Sequence, residues 1–309
     1  MNSPLVSVIL PNYNHAKYLD ERIQSILNQT YCNFELIILD DCSSDNGASK
    51  AVIEKYRENS HVSHIVYNEK NSGLTFKQWH KGIGLAQGNL IWIAESDDKC
   101  HHQMLEVLVE EFKKNSECVL AFSKSLLFND NDIIEDKDII STHILHLSGS
   151  DFIKKYMSLG NVVQNASSAL FRKDVVQKMD QSYVSYKGAG DRLFWILISE
   201  YGDVAIVTEQ MNYFRQHQDN STKKYYYSGV NQREDKNIID YIYVKKYIST
   251  LEYKLKSIQY VYLWIYKEKI KDSNLKGTLF DLWLPSFFDK MLFAFYQFSL
   301  LFRKRMRIL

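Results

Sequence analysis

A chain of 309 residues, 45% apolar and 24% charged, can bury the core of one large domain or two ordinary ones, and is neither disordered, collagen-like nor a polytopic membrane protein. Its 38 basic and 37 acidic side chains leave a net charge of +1, which argues against a general nucleic-acid binder. The total hides a division: residues 1–217 carry 21 Lys and Arg against 28 Asp and Glu, and residues 218–309 carry 17 against 9, so an acidic body precedes a basic tail.

Over residues 5–94 short β-rich runs alternate with segments of helical period, the pattern of βαβ units and a largely parallel sheet. Residues 5–10 form an unbroken apolar run, read as a buried strand. Residues 15–29 place Leu19, Ile23, Ile26 and Leu27 on one helical face. A second buried strand over 34–39 ends in the acidic loop 40–47, and a helix follows to about residue 58. Residues 62–67 read as a third strand, 76–86 as a helix and 90–94 as a fourth strand, which ends in Glu95, Ser96, Asp97 and Asp98. An amphipathic helix is expected over 101–115 and another strand over 118–128, before a polar, loop-rich stretch at 129–148. Strands at 161–172 and 204–215 flank a helix that begins near Gly190, Asp191 and Arg192. Beyond residue 220, Tyr and Lys interleave as one or two helices through 241–271, and the chain closes in an apolar segment followed by Arg303, Lys304, Arg305 and Arg307.

Three prolines mark no linker and no internal repeat is present. Cys32, Cys42, Cys100 and Cys118 form no CxxC pair and have no clustered His at metal-ligand spacing, so reduced thiols are expected. The N-terminal residues run straight into a strand with no basic, apolar leader, so a cytoplasmic protein is expected.

In open α/β sheets ligands bind beyond the carboxyl ends of the strands. Three such ends here are polar: Pro11 to Asn14, Asp40 to Asp45 and Glu95 to Asp98. Adjacent carboxylates such as Asp97 and Asp98 repel unless a cation screens them, and Mg²⁺ or Mn²⁺ is commonly held by one or two carboxylates together with substrate phosphates. The alternative is that one of them caps the helix that begins near His101. Acids of the 40–45 loop can accept hydrogen bonds from a base or a ribose, and Tyr13 can stack on a planar ring; the alternative is an Asx-type turn beside a surface tyrosine. Asp191 lies next to apolar Leu193, Phe194 and Trp195, where desolvation favours a general base, or it caps its helix. His217 is either a metal or phosphate contact or a surface residue.

These residues occur in blocks. VSVILPNYNHAKYLDERIQSILNQTYCNFELIILDDCSSDNG, then NSGL at 71–74, AQGNLIWIAESDD at 86–98, GDRLFW at 190–195 and YFRQHQDNST at 213–222 resemble, in the same order, the family 2 glycosyltransferases of the GT-A fold. The resemblance covers roughly residues 5–222. It implies an α/β fold with a Rossmann-like, mostly parallel sheet flanked by helices, plus a C-terminal helical extension over 223–309. By the same resemblance Pro11 and Tyr13 line a base pocket, Asp41 holds the base edge, Asp97 lies near the ribose, Asp98 binds Mn²⁺ or Mg²⁺, His217 touches the metal or diphosphate, and Asp191 is the catalytic base. Two positions depart from the pattern: Trp79 and His80 stand where an Arg-Asn pair is common, leaving Lys77 or Lys81 as substitutes for the arginine, and Glu95 stands where Asp is usual.

The expected activity is therefore inverting transfer from a nucleoside diphosphate-sugar donor to a glycan or lipid-linked acceptor, in surface polysaccharide synthesis. A non-catalytic sugar-nucleotide-binding or scaffolding relative is a second reading. A sugar nucleotidyltransferase is a third, disfavoured because no Gly-rich, basic phosphate loop follows the first strand. For the tail, an apolar run bounded by Asp289, Lys290 and Arg303 suits an interfacial segment on an anionic membrane surface, with packing on protein, including a homo-oligomer through the tail, or spanning as alternatives.

Overall fold

The computed structural model describes residues 3–132, 134, 136–217, 225–267 and 270–306, with side chains to residue 300. Its first unit draws on Met1–Phe152, Val162–Tyr186 and Gly190–Asn220, and its second on Ile153–Asn161, Lys187–Ala189 and the chain beyond residue 220. Two short internal segments thus belong with the tail.

The first unit is built on strands β1 (Val6–Asn12), β2 (Phe34–Asp40), β3 (Val62–Tyr67), β4 (Leu90–Ile93), β5 (Lys99–Cys100), β6 (Cys118–Phe128), β7 (Ile144–Ser148), β8 (Ala169–Arg172) and β9 (Asp203–Arg215). Every residue of β1, β2 and β4 is buried. This explains why these runs are continuously apolar rather than alternating: both faces of a central parallel sheet are covered. The strand order is β3-β2-β1-β4-β8-β6-β9-β5, with β7 also on β9. β1 pairs in parallel with β2 on one side and β4 on the other, so the order reverses at β1. From β4 onward β8 is antiparallel to both β4 and β6, and β6 returns to parallel pairing with β9.

Helices α1 (Ala16–Leu27), α2 (Ala48–Glu54), α3 (Thr75–Leu85) and α4 (Met104–Lys114) cover this sheet. Val6, Val8 and Leu10 share one core with Leu19, Ile23 and Ile26 of α1 and with Leu105 and Leu108 of α4. Ile9 points to the other face and meets α3 at Gly82, where a Cβ would lie 2.3 Å from Ile9 Cγ2. Two expectations shift. The stretch 129–148 contains β7, and the strand expected over 161–172 is only Ala169–Arg172, because Asn165 accepts the amide of Ser167 and turns the preceding residues into a 3-10 helix, Ala166–Ser168.

The second unit contains helices Val230–Val244, Thr250–Tyr260, Ser273–Trp283 and Phe287–Met306. Tyr260 and Trp283 stack with ring centroids 3.9 Å apart, and the Trp283 indole donates to the Gln232 carbonyl at 3.0 Å. Much of the Tyr-rich composition is thus consumed in packing. Among the described residues no helix is long and apolar enough to cross a membrane.

Ile9 is fully buried and cannot swing aside, so Gly82→Ala is expected to lower the unfolding free energy by about 1–3 kcal/mol in urea denaturation. Gly84→Ala, whose Cβ meets nothing within 4 Å, should leave it unchanged or raise it by up to about 1 kcal/mol.

Candidate functional site

The reversal of strand order at β1 opens a crevice beyond the ends of β1 and β4, the position where open α/β sheets bind ligands. Around it the backbone turns through four left-handed residues: Asn14 (φ 59°), Cys42 (φ 61°), Asn46 (φ 56°) and Gly47 (φ 82°). Asn12 Nδ2 donates to Asp40 Oδ1 at 2.8 Å, and the Ser44 amide donates to Asn14 Oδ1 at 2.7 Å, tying the ends of β1 and β2 together. Asp40 also accepts the Ser43 amide at 3.0 Å, so the turn expected as an alternative at 40–45 is present.

Pro11 is buried opposite Leu39, whereas the Tyr13 side chain, two residues on, is 43% exposed and presents its ring to solvent. Asp41 is buried and committed: its carboxylate accepts from Asn68 Nδ2 at 2.7 Å, Gln78 Nε2 at 2.9 Å, Ser72 Oγ at 2.7 Å and the Ser72 amide at 2.9 Å. In this arrangement it organises the 68–74 loop. Lys77 and Lys81 point to the same loop, on the Ser72 carbonyl and Asn68 Oδ1 respectively.

Glu95 to Asp98 carry the strongest electrostatics. Asp98 is fully buried; Ser167 Oγ donates to Oδ2 at 2.7 Å and the Arg215 amide to Oδ1 at 3.1 Å. Burial, then the charge of Asp97, push its carboxyl up to about 7. The same two causes push Glu95 up to about 8, against the hydrogen bond that Trp79 Nε1 donates to its Oε1 at 2.8 Å. Asp97 goes the other way: burial opposes its charge, but the His217 hydrogen bond and the nearby His15 hold its carboxyl below the usual range. Neither aspartate caps the next helix, which begins at Met104 with Gln103 in the cap position.

His217 follows β9, the strand that runs in parallel beside β6, and its Nε2 lies 2.8 Å from Asp97 Oδ2. His15, after β1, completes the group, with Nδ1 2.8 Å from Ser96 Oγ. His15, Asp97 and His217 each offer one ligand atom within 4.8 Å of the others. One carboxylate and two imidazoles are a donor set that fits a divalent cation. The structure thus brings His217 to Asp97, with Asp98 anchored behind them. Arg215 holds this end of β9 in place: its guanidinium lies 4.6 Å from the Tyr18 ring and 4.5 Å from the Phe128 ring, and bonds the Asp97 carbonyl at 2.7 Å.

Asp191 stands in the first turn of the helix Gly190–Ser199, where the helix dipole favours a negative charge, and accepts the Arg192 amide at 2.8 Å. That helix packs closely on α3. A Cβ at Gly190 would lie 2.5 Å from Phe76, and Phe194 meets Trp79 edge to face. Trp79 therefore connects the Asp191 helix to the carboxylate of Glu95.

Residues 7–179 match the model of glycosyl transferase family 2. The chain belongs to that family. The match takes in Pro11 through Asp98 and ends before Asp191 and His217. Among curated relatives, TuaG of Bacillus subtilis, named for teichuronic acid biosynthesis, is 36% identical over 120 residues, 39% of this chain and 46% of that one. The poly(ribitol-phosphate) β-N-acetylglucosaminyltransferase TarP of Staphylococcus aureus is 30% identical over 200 residues, 62% of this chain and 56% of that one. The chain spans about half the length of these two relatives. A crystal structure of S. aureus TarS residues 1–349 with UDP-GlcNAc superposes with a TM-score of 0.65 at 17% identity, covering 90% of this chain and 79% of that one. The fold is accordingly the GT-A fold.

In this family 2 chain the acidic loop has partners that no motif singled out. Ser167 is the clearest: fully buried, it donates to Asp98 and accepts the Glu95 amide at 3.0 Å, so one hydroxyl fixes both ends of the acidic loop. Its position just before β8, far from the loop in sequence, hid it; Arg215 was visible only as part of the 213–222 block. Ser167→Ala should lower unfolding stability by about 1–3 kcal/mol, the penalty for a buried polar group left without its partner, and calorimetry should show weaker nucleotide binding in the folded variant.

Proposed function

We propose that this family 2 protein transfers a sugar, with inversion, from a nucleoside diphosphate-sugar to an acceptor hydroxyl. The observation that carries the reading is the contact between Asp97 and His217 at the strand-order reversal, beside two further carboxylates that burial and mutual repulsion keep from ionising easily. Such a site favours a divalent cation, Mn²⁺ or Mg²⁺, held through Asp97 and His217. When bound, the ion offsets the charge that develops on the departing diphosphate.

The protein's own groups would do the rest. The exposed Tyr13 ring can stack on the base, with Pro11 behind it and Asp41 holding the 68–74 loop against the pocket. Asp98, with both oxygens engaged, positions the acidic loop. Asp191 would accept the proton of the acceptor hydroxyl as its oxygen attacks the anomeric carbon; the bond from that carbon to the diphosphate breaks on the opposite face and its electron pair leaves with the diphosphate. One base is enough for such a single displacement, unlike the paired carboxylates of glycosidases.

The names of TuaG and TarP support a surface polysaccharide or polyol-phosphate chain as acceptor, and the UDP-GlcNAc bound to TarS supports a uridine nucleotide as the first donor to test. Asp191→Asn is expected to lower turnover roughly 10²–10⁴-fold, the usual worth of a general base, with donor affinity kept. Near-normal turnover would remove Asp191 from that role. Release of nucleoside diphosphate is expected; pyrophosphate would indicate nucleotidyl transfer, and binding without turnover a non-catalytic relative.

The tail supports a location for this chemistry on an anionic membrane. On the helix Phe287–Met306, Phe287, Phe288, Met291, Phe295 and Phe298 are exposed at roughly helical spacing, the last two by 64% and 69%. Arg303, Lys304, Arg305 and Arg307 follow in the sequence, with side chains outside the described residues. An apolar stripe followed in the sequence by basic residues suits the interface of anionic lipid, at about 1 kcal/mol per basic residue near the surface. The chain should co-sediment with phosphatidylglycerol vesicles and not with phosphatidylcholine vesicles, and Phe295→Ser with Phe298→Ser should abolish it. A dimer in light scattering that these substitutions dissociate, without lipid binding, would instead make the stripe a subunit interface.

A further inference from the structure

We infer that His15 is a third protein ligand to the ion, and that it makes the site select Mn²⁺-type transition ions over Mg²⁺. The inference rests on the metal reading above and goes further, because a carboxylate with one imidazole is compatible with either ion. Mg²⁺ is a hard ion that takes oxygen and retains its waters, whereas imidazole nitrogen suits first-row transition metals. Two nitrogens facing one carboxylate therefore move the preference away from Mg²⁺.

Three observations place His15 in this role. Its ligand atom lies within 4.8 Å of those of both Asp97 and His217, and its ring meets the His217 ring edge to face with centroids 5.8 Å apart. Its Nδ1 lies 2.8 Å from the hydroxyl of Ser96, a buried residue of the acidic loop itself. A histidine that holds a metal through one nitrogen generally has its other ring nitrogen engaged by a fixed group of the protein, and the Ser96 hydroxyl is such a group. Finally, the chain changes direction immediately before it: Asn14 is left-handed, and its amide donates to Ser43 Oγ at 2.9 Å, which fixes where the helix carrying Tyr18 begins and how His15 is presented.

A second histidine group shows the contrast. His101, His102 and Asp136 are equally close together, but His101 Nδ1 accepts the Gln103 amide at 3.2 Å and its Nε2 faces the Lys137 carbonyl at 2.8 Å. An Nδ1 that accepts a proton donor requires the hydrogen to sit on Nε2, which leaves that ring no lone pair for a metal. The same residue types there pin a loop, whereas His15 and His217 stand beside a carboxylate of the acidic strand end itself.

The test uses the full chain with Mn²⁺, alone and with UDP, followed by electron paramagnetic resonance. Titration gives the affinity, and pulsed experiments count the imidazole nitrogens coupled to the metal. The wild type should show two nitrogens. His15→Asn, with an unchanged circular dichroism spectrum, should show one, bind Mn²⁺ at least roughly tenfold more weakly and lose most of its preference over Mg²⁺, and Ser96→Ala should weaken Mn²⁺ by about tenfold while keeping both nitrogens. Two nitrogens in His15→Asn, or unchanged Mn²⁺ affinity, would overturn the role of His15 while leaving an Asp97–His217 site intact. No Mn²⁺ binding by the wild type under either condition would overturn the metal reading as well.

Discussion

Three carboxylates within four residues stand at the end of one buried strand, and the arrangement of the rest of the site follows from how they are kept apart. Glu95, Asp97 and Asp98 cannot all carry charge cheaply in a partly dry crevice. Each has been given a different partner: the Trp79 indole for Glu95, His217 for Asp97, and Ser167 with the Arg215 amide for Asp98. These partners come from α3, the end of β9 and the turn before β8. Three other parts of the chain must therefore be assembled around the acidic loop before its carboxylates are tolerable.

The two departures from the pattern that the sequence resembles meet in this arrangement. Trp79 occupies the place of a common arginine and Glu95 that of a common aspartate, and in the structure they are hydrogen-bonded to each other. The longer glutamate reaches an indole that also packs against Phe76 and Phe194. Through the same ring the acidic loop is linked to the helix that carries Asp191.

β1, β2 and β4 were legible from unbroken apolar runs because burial on both faces leaves that signature; β6 and the partly buried edge strand β3 were also located to the residue. The strand expected at 161–172 failed because an Asn165 side chain capturing the Ser167 amide is a local bond with no apolar pattern. For the site, the acidic strand ends could be read because they are contiguous. Pairings could not: His15 and His217 lie about 200 positions apart in the chain, so nothing in local spacing brings them together. Asp97 and Asp98 are chemically identical and adjacent, and the structure distinguishes them by their partners, His217 for the first and Ser167 with the Arg215 amide for the second.

The opposite charges of the two parts of the chain now have separate meanings, a strand-end crevice in the acidic part and an exposed aromatic stripe followed by basic residues in the other. A metal held in that crevice is tested most directly by a crystal of the protein grown with Mn²⁺ and a nucleoside diphosphate, with anomalous scattering measured at the manganese edge. A peak within bonding distance of Asp97 and His217, in contact with the diphosphate, is the expected result; a peak on Asp98 with Asp97 turned away, or diphosphate bound with no metal beside it, would contradict it.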